Sequence, residues 1–231
     1  MKSEIRWPRN DYSRVPFRLH HDEELYALEM ERIFRGPAWS YLCLEAEIPN
    51  PGDFRTTWVG DTPVVVSRAK NGTIHAFVNR CSHRGATIVR ELRGNAERHV
   101  CLYHRWTYST AGELTGLPFR KGLKGEGGMP EDFEMKSVSP RKMKVGNCAG
   151  MLFGTFQPEK AEALEKYLGE FGTGIIKRFP TGRSASSATR ASSSPATGSS
   201  TPRTCATPTT RACCTSSSSP TASTARRRRA A

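Results

Sequence analysis

The chain alternates short runs of apolar and β-branched residues with clusters of Gly, Pro, Asn and Asp. Such runs are typical of β-strands, and such clusters are typical of turns. Asn71-Gly72 is a strong hairpin-turn signal between two of the runs. We therefore expect a mainly β fold, an antiparallel sandwich or partial barrel, built from the runs at 54–59, 63–67, 73–78, 99–102, 106–109, 142–147 and 151–156.

Two segments show the period of a helix instead. Residues 21–34 open with acidic residues and repeat apolar residues at positions 26, 30 and 33, which predicts an amphipathic packing helix. Residues 159–171 suggest a second helix, and the Gly-, Lys- and Pro-rich residues 116–132 predict a long surface loop. These patterns predict four parts: an N-terminal helical segment at 1–40, the β domain at 41–158, a helix that begins a further domain at 159–180, and a tail at 181–231.

The composition changes abruptly after Pro180. From Thr181 to Ala231 every residue is Thr, Gly, Arg, Ser, Ala, Pro or Cys. A segment without large apolar side chains cannot offset its ordering entropy by burial, so we expect a disordered tail. All of these residue types have codons with G or C in the middle position, which is typical of a GC-rich gene read in a shifted frame. We therefore predict a frameshift near Phe179, which the nucleotide sequence would test.

The net charge and the hydropathy narrow the range of partners. The formal charge is +13, but the tail holds eight arginines and no acidic residue, so the remainder carries only +5. The basicity is mostly a property of the tail, and a nucleic-acid partner is not expected. No run of about twenty apolar residues is present, and residues 1–10 are polar and charged, which predicts neither a membrane partner nor a signal peptide. We expect a cytoplasmic protein whose thiols stay reduced.

Two short motifs combine cysteine with histidine. Cys81 and His83 form the first pair, Cys101 and His104 form the second, and residues 84–100 separate the pairs. Each pair offers one thiolate and one imidazole to a single metal centre, so that two such loops make a Cys2His2 site. This donor set fits a [2Fe–2S] cluster, with both cysteines on one iron and both histidines on the other. It also fits a zinc ion, as in a zinc-binding interaction module.

Spacing and chemistry favour the two-iron cluster over zinc. Zinc fingers usually place two or more residues between paired ligands, whereas a single residue separates Cys81 from His83. Neutral imidazoles in place of two thiolates reduce the negative charge of the cluster, so that it accepts an electron more readily than an all-cysteine cluster does. The two hypotheses predict different colours for the protein, because an iron–sulfur protein is red-brown and a zinc protein is colourless.

Neighbours of the four ligands are candidates for supporting roles. Arg84 and Arg105 would attract an acidic electron donor, although loop solvation or a salt bridge explains them equally well. Tyr103 and Trp106 would shield the cluster from water, although they would serve equally as core aromatic residues. His99 is more simply interpreted as an ordinary strand histidine than as a residue that supports a ligand.

The pattern C-x-H-(17)-C-x-x-H, with Arg84-Gly85 after the first pair and Trp106-x-Tyr108 after the second, resembles the Rieske motif. Over about residues 10–178 the chain resembles the large (α) subunits of aromatic-ring-hydroxylating Rieske non-haem iron oxygenases. The glycine-rich loop that ends at residues 127–130 is similar to the branch acting on aromatic carboxylic acids such as salicylate, anthranilate or terephthalate. Further segments that carry the likeness are RVPF at 14–17, WSYLCLEAEIPNPGDF at 39–54 and GELTGLP at 112–118.

The resemblance implies electron transfer in aromatic compound catabolism. A ferredoxin or flavin reductase would reduce the cluster, and in the family the electron passes to a mononuclear Fe(II) held by two histidines and a carboxylate. No histidine follows His104, so we expect no such iron site and no hydroxylation by this chain alone. Members of the family commonly form trimers, with or without a small β subunit.

Two other Rieske classes fit the chain less well. Respiratory-chain Rieske proteins carry an additional disulfide beside the ligand pairs, whereas the matching positions here hold Arg84 to Ala86 and Tyr103. A stand-alone Rieske electron carrier remains the main alternative to an oxygenase subunit. Such a carrier would lack the N-terminal helical region and the long loop.

Overall fold

The computed structural model describes residues 13–124 and 126–179. The disordered, frameshifted tail predicted at 181–231 lies outside the described residues, as does the start of the predicted helical segment. The boundaries that the sequence predicts between parts of the chain stay predictions.

Antiparallel β structure dominates the described part of the chain, which confirms the predicted fold class. The strands are β1 (Ser40–Leu44), β2 (Asp53–Val59), β3 (Thr62–Arg68), β4 (Ile74–Val78), β5 (Arg93–Asn95), β6 (Arg98–Val100), β7 (Thr107–Ser109), β8 (Leu114–Gly116), β9 (Lys142–Cys148) and β10 (Met151–Thr155). Seven of them form one sheet in the order β1-β10-β9-β4-β3-β2-β5, and three form a second sheet in the order β6-β7-β8.

The predicted hairpin joins β3 to β4. The two strands pair from Val64 opposite Val78 to Arg68 opposite Ile74. The turn between them places Gly72 at a φ of +84°, a conformation that glycine adopts without the steric cost of a Cβ atom. The Asn-Gly signal therefore marked the correct turn.

Strand β3 is buried on both faces and lies between two hydrophobic cores. Val64 and Val66 pack on one face with Leu152 and other residues of the large sheet. Val65, on the opposite face, packs in a second core that contains Phe77 and the residues around the Cys-His loops. Alternate side chains of one strand thus belong to different cores, as the period of two in a strand requires.

The first helix packs where the sequence predicts, but its geometry changes halfway. Helix α1 (Glu23–Glu29) begins at Asp22, whose side chain accepts a hydrogen bond from the Leu25 amide. It continues as a π-helical turn, Met30–Phe34. Met30 is buried, but Ile33 is 48% exposed, because the wider turn rotates it away from the face that a regular helix would bury.

Helix α2 (Leu164–Arg178) lies further along the chain than the predicted helix at 159–171. Gly169 interrupts it with a φ of +65°, so the periodicity that sequence patterns rely on is broken there. Leu164 and Ile176 anchor α2 in a third core with Trp39, Cys148 and Phe153.

The remaining connections are loops and short 3-10 helices. The predicted loop at 116–132 joins β8 to the 3-10 helix Met135–Val138, with β9 following. Two other 3-10 helices span Phe17–His20 and Glu45–Glu47. None of the helices in the described ranges is long and apolar enough to cross a membrane.

Candidate metal centre

The two Cys-His motifs lie on loops with matching backbone hydrogen bonds. In the first loop, which follows β4, the Cys81 amide donates to the Ala86 carbonyl at 2.7 Å and the Gly85 amide donates to the Cys81 carbonyl at 2.7 Å. Gly85 has a φ of +70°. The loop thus turns back on itself within six residues and presents His83 near its apex.

The second loop, between β6 and β7, repeats this arrangement. The Cys101 amide donates to the Trp106 carbonyl at 2.8 Å, and the Arg105 amide donates to the Cys101 carbonyl at 2.9 Å. Arg105 has a φ of +61° at the position that Gly85 occupies in the first loop. An arginine therefore adopts a left-handed conformation that glycine adopts more readily.

The loops bring the two histidines together. Nδ1 of His83 lies 3.0 Å from Nδ1 of His104, and the ring centroids are 4.5 Å apart at 77°. Partial desolvation by the surrounding loops, the neighbouring His104 and the Arg84 guanidinium all lower the pKa of His83, so its imidazole favours the neutral form that binds metal. Two like nitrogens at this separation suit a shared metal ion as their common partner.

The two cysteines are buried beneath the loops and carry free thiols. Cys81 and Cys101 are 4% and 1% exposed and belong to the same core. A buried thiol without a metal or cationic partner is an ordinary small apolar residue, whereas two of them in matched loops beside paired imidazoles form a donor set for a metal cluster.

The described residues hold no group of three or more His, Cys, Asp or Glu side chains arranged around a single metal ion. A structural zinc ion needs four ligands around one centre. A [2Fe–2S] cluster instead needs a pair of nitrogens on one iron and a pair of sulfurs on the other. Two neighbouring imidazoles and two buried thiols in one pair of loops supply the donor types of such a cluster.

The predicted aromatic neighbours contact the histidines. Trp106 is buried and stacks on the His83 ring, with centroids 5.0 Å apart at 16°. Tyr103 is 61% exposed, and its ring centroid lies 4.0 Å from that of His104. Each histidine ring is thus held by one aromatic side chain, but only Trp106 is positioned to keep water away.

Both predicted arginines are exposed in the loops. Arg84 directly follows His83, and Arg105 directly follows His104. Neither arginine forms a salt bridge among those found in the described residues. Their guanidinium groups therefore add positive charge at the surface where the histidines emerge.

Sequence reasoning missed the role of Tyr108. This side chain in β7 is fully buried, accepts a hydrogen bond from the Ser82 amide at 3.1 Å and places its hydroxyl 3.1 Å from the Cys81 sulfur. Burial and the neighbouring Cys81 raise the pKa of Tyr108, so the hydroxyl stays protonated and can donate to the sulfur. The Trp106-x-Tyr108 pattern included this residue without revealing its contact.

Asn79 is a second residue whose role the sequence did not reveal. It is 3% exposed, and its side-chain oxygen accepts from the amides of Ile88 and Val89 at 3.1 and 2.9 Å. Its side-chain nitrogen donates to the Val89 carbonyl at 2.7 Å. Because Asn79 precedes Cys81 by two residues, this clamp fixes the whole first loop against the end of β4.

His99 lies in β6, as predicted, with its ring packed against Phe54 and Phe77 at centroid distances of 5.4 and 5.9 Å. Its Nε2 is buried without a hydrogen-bond partner in the described structure. The structure thus surrounds His99 with aromatic side chains and leaves its Nε2 without a hydrogen bond.

Burial lowers the pKa of His99 to about 4, against about 6.5 in the unfolded chain. At pH values between these two pKa values, the unfolded chain binds more protons than the folded chain does. The free energy of unfolding therefore falls as the pH drops through this range, and His99 contributes about 3 kcal/mol to that fall. Replacing His99 by phenylalanine should remove that loss and should also stabilise the protein modestly at neutral pH, since an unpaired polar atom is removed. Urea unfolding at several pH values measures both effects.

The difference between His99→Phe and the unmodified chain isolates the contribution of this residue. His21→Gln is the matched control for the loss of a histidine at an exposed position. Equal pH dependence in His99→Phe and the unmodified chain would contradict the prediction.

Comparison with known proteins finds a family that matches part of the chain. Residues 38–126 match the family described as the Rieske [2Fe-2S] domain. The chain is 50% identical over 167 residues to the anthranilate 1,2-dioxygenase large subunit of Burkholderia cepacia, which covers 72% of this chain and 39% of that protein. It is 47% identical over 168 residues to subunit alpha 2 of the terminal oxygenase component of terephthalate 1,2-dioxygenase from Comamonas sp, which covers 73% and 40%.

Solved structures of oxygenases are similar to the chain as well. A naphthalene 1,2-dioxygenase variant bound to phenanthrene superposes with a TM-score of 0.60 at 39% identity, over 65% of this chain and 32% of that one. The chain spans about two fifths of the length of the curated relatives that it matches. These matches confirm the resemblance drawn from the sequence. At residues 38–126 the chain therefore carries a Rieske [2Fe–2S] domain of the type found in the large subunits of aromatic-ring-hydroxylating oxygenases.

Proposed function

We propose that this chain accepts and passes on single electrons through a [2Fe–2S] cluster, with Cys81 and Cys101 on one iron and His83 and His104 on the other. The observation that carries the proposal is the 3.0 Å separation of the two histidine Nδ1 atoms. The two buried free thiols in the same pair of loops support it.

When bound, the cluster supplies one-electron chemistry at a potential raised by its two neutral imidazoles. The chain contributes a dry environment for the sulfurs and an exposed edge for the nitrogens. Trp106 limits rotation of the His83 ring by stacking on it. Because His83 is exposed and the cysteines are buried, electrons would enter and leave on the histidine side.

We infer the source and the destination of these electrons from the relatives, which are oxygenases. A ferredoxin or flavin reductase would be the donor, and in a whole oxygenase the acceptor would be a mononuclear iron. No histidine follows His104, so this sequence offers no second pair of imidazoles for that iron. We therefore propose that the chain alone transfers electrons without hydroxylating a substrate.

The relatives also suggest the wider setting of this electron transfer. The two relatives described above are named for anthranilate and terephthalate, so the pathway would be the breakdown of an aromatic carboxylic acid. We also propose that the chain assembles into a trimer, with or without a small β subunit, as members of the family commonly do.

Metal analysis of the purified protein tests the proposal. We expect iron and acid-labile sulfide in equal amounts, a red-brown colour, and an electron paramagnetic resonance signal that appears only after reduction. Bound zinc without colour or sulfide would overturn the proposal. Reduction by a ferredoxin and its reductase should produce no hydroxylated anthranilate or terephthalate, and product formation would refute the separation of electron transfer from catalysis.

Replacing Tyr108 by phenylalanine should lower the reduction potential of the cluster. The hydroxyl lies 3.1 Å from the Cys81 sulfur, and a hydrogen bond to a cluster sulfur stabilises the more negative, reduced form. A preference of about 1 kcal/mol corresponds to roughly 40 mV for one electron. A spectroscopic redox titration measures the shift. Tyr41→Phe is the control, because Tyr41 lies in β1 and should leave the potential unchanged.

Reversing the charge of both loop arginines should slow reduction by an acidic ferredoxin. The double variant Arg84→Glu, Arg105→Glu removes the positive charge beside the histidines, and we expect about a tenfold lower association rate at low salt. Stopped-flow reduction at several salt concentrations measures it, and the difference should shrink as salt rises.

The control variant Arg32→Glu, Lys160→Glu makes the same change in net charge at exposed positions outside the two loops. An unchanged rate in the loop variant, or an equal loss in the control, would remove the docking role from Arg84 and Arg105.

A further inference from the structure

A groove of about 350 Å³ lies between strands β5 and β6. Strand β5 is the last strand of the large sheet, and β6 is the first strand of the small sheet. Backbone pairing holds β5 to β2 and β6 to β7. Both walls of the groove are therefore already in place without a partner.

The groove adjoins both Cys-His loops. Leu102, which lines it, directly follows Cys101 in the second loop. Val89, which also lines it, donates its amide hydrogen to the side chain of Asn79, the residue that fixes the first loop. A partner that fills the groove therefore also contacts the loops that carry the paired histidines.

Three arginines surround the groove. Arg90, Arg93 and Arg98 are exposed and line it together with one acidic residue, Glu91. Among the residues that the structure describes, none of these three arginines belongs to a salt bridge. The groove thus carries positive charge that the fold does not neutralise by ion pairing.

The sequence concentrates its positive charge in this part of the domain. Residues 80–105 hold six arginines, two glutamates and no lysine or aspartate. This surplus of four positive charges is most of the +5 carried by residues 1–180. One of the two glutamates, Glu97, is itself paired with Lys70. A partner for this surface is expected to carry negative charge.

Exposed apolar side chains accompany the arginines. Val100 and Leu102 line the groove and are 38% and 57% exposed, and the neighbouring Tyr103 is 61% exposed. Protein interfaces are enriched in aromatic residues and arginine and depleted of lysine, as this segment is. A small inorganic anion would need no apolar surface, so the combination favours an acidic protein.

We propose that this groove docks an acidic segment of the protein that delivers electrons to the cluster. The groove arginines contact carboxylates of that segment, and Leu102 contacts its apolar side chains. The inference rests on the proposed function, because it names the place where the electron donor binds. Attraction by Arg84 and Arg105 acts mainly on the rate of encounter, whereas contacts inside the groove also slow dissociation.

Binding of the full chain to an oxidised plant-type [2Fe–2S] ferredoxin of net negative charge tests the proposal. The variant Arg93→Glu, Arg98→Glu reverses one charge on each wall, and we expect at least tenfold weaker binding by isothermal titration calorimetry at low salt. Arg32→Glu with Lys160→Glu makes the same change in net charge at exposed positions outside the groove. It should weaken binding by less than about threefold.

Leu102→Ser tests the apolar part of the contact. We expect about threefold weaker binding that persists at high salt, where the effect of reversing the arginines shrinks. Leu123→Ser is the matched control, because Leu123 is 65% exposed in the loop after β8 and should leave the affinity unchanged.

Iron content, measured on the same samples, separates this proposal from the proposed function. A chain that binds ferredoxin but no iron would overturn the proposed function. An iron-loaded chain whose affinity for ferredoxin is the same in both groove variants would overturn the groove alone. An equal loss of affinity in the matched controls would overturn it too, as would groove variants that change only self-association in sedimentation experiments.

Discussion

Serine in place of Cys101 is expected to give a folded protein that binds no iron–sulfur cluster. Cys101 is 1% exposed and belongs to the core beside the histidine pair, and soft thiolates are the ligands that iron–sulfur clusters require. The size of the side chain hardly changes, so the loss of stability should stay near the 1–3 kcal/mol of burying a hydroxyl. Iron and sulfide analysis with visible absorption spectra measures the loss of the cluster.

Cys43→Ser is a closely matched control for this experiment. Cys43 is also 1% exposed, and burial, with a contribution from Glu47, raises the pKa of its thiol to about 12. Cys43 lies in β1, within the other core. The Cys43→Ser variant should therefore lose a similar amount of stability while its iron content stays complete. Equal iron loss in both variants would mean that stability, and not coordination, explains the effect.

Replacing Asn79 by alanine is expected to destabilise the protein by about 4 kcal/mol. The substitution leaves two buried amides and one carbonyl without the partner that Asn79 provides, and each unpaired buried group costs about 1–3 kcal/mol. Because these bonds fix the loop that carries Cys81 and His83, release of iron during dilution should also become faster. Urea unfolding and the rate of bleaching measure the two effects.

Two further variants define what the Asn79 side chain contributes. Asn79→Asp keeps the acceptor oxygens but loses the donor, so its destabilisation should be intermediate. Asn71→Ala removes an exposed side chain that accepts one hydrogen bond, from the Thr73 amide, and should cost less than about 1 kcal/mol. An Asn79→Ala variant as stable as Asn71→Ala would show that the clamp is not needed.

The strands that the sequence predicted are those with a clear apolar pattern or a strong turn. The β3–β4 hairpin has both, and it formed where Asn71-Gly72 indicated. Strands β1, β5 and β8 were missed. Strands β5 and β8 have only three residues each and include a glycine. Such strands exist because a neighbouring strand supplies their hydrogen bonds, which no local pattern reveals.

The candidate site likewise contains residues that the local sequence predicts and residues that it does not. The four proposed ligands were named from spacing, because Cys and His so close together are uncommon without a metal. The contacts of Asn79 and Tyr108 could not be predicted, since they join positions about ten and twenty-seven residues apart that only the folded chain brings together. The left-handed conformation of Arg105 was hidden as well, because the sequence shows glycine in only one of the two loops.

The position of β3 between two cores has a consequence for how the domain opens. Val65 contacts the core beneath the two Cys-His loops, while Val64 and Val66 contact the other core. The strand cannot leave one core and stay in the other, so the two halves of the domain form a single cooperative unit. Free energy gained by binding a cluster at the loops would therefore slow amide hydrogen exchange throughout the large sheet, including in strands that contact no ligand.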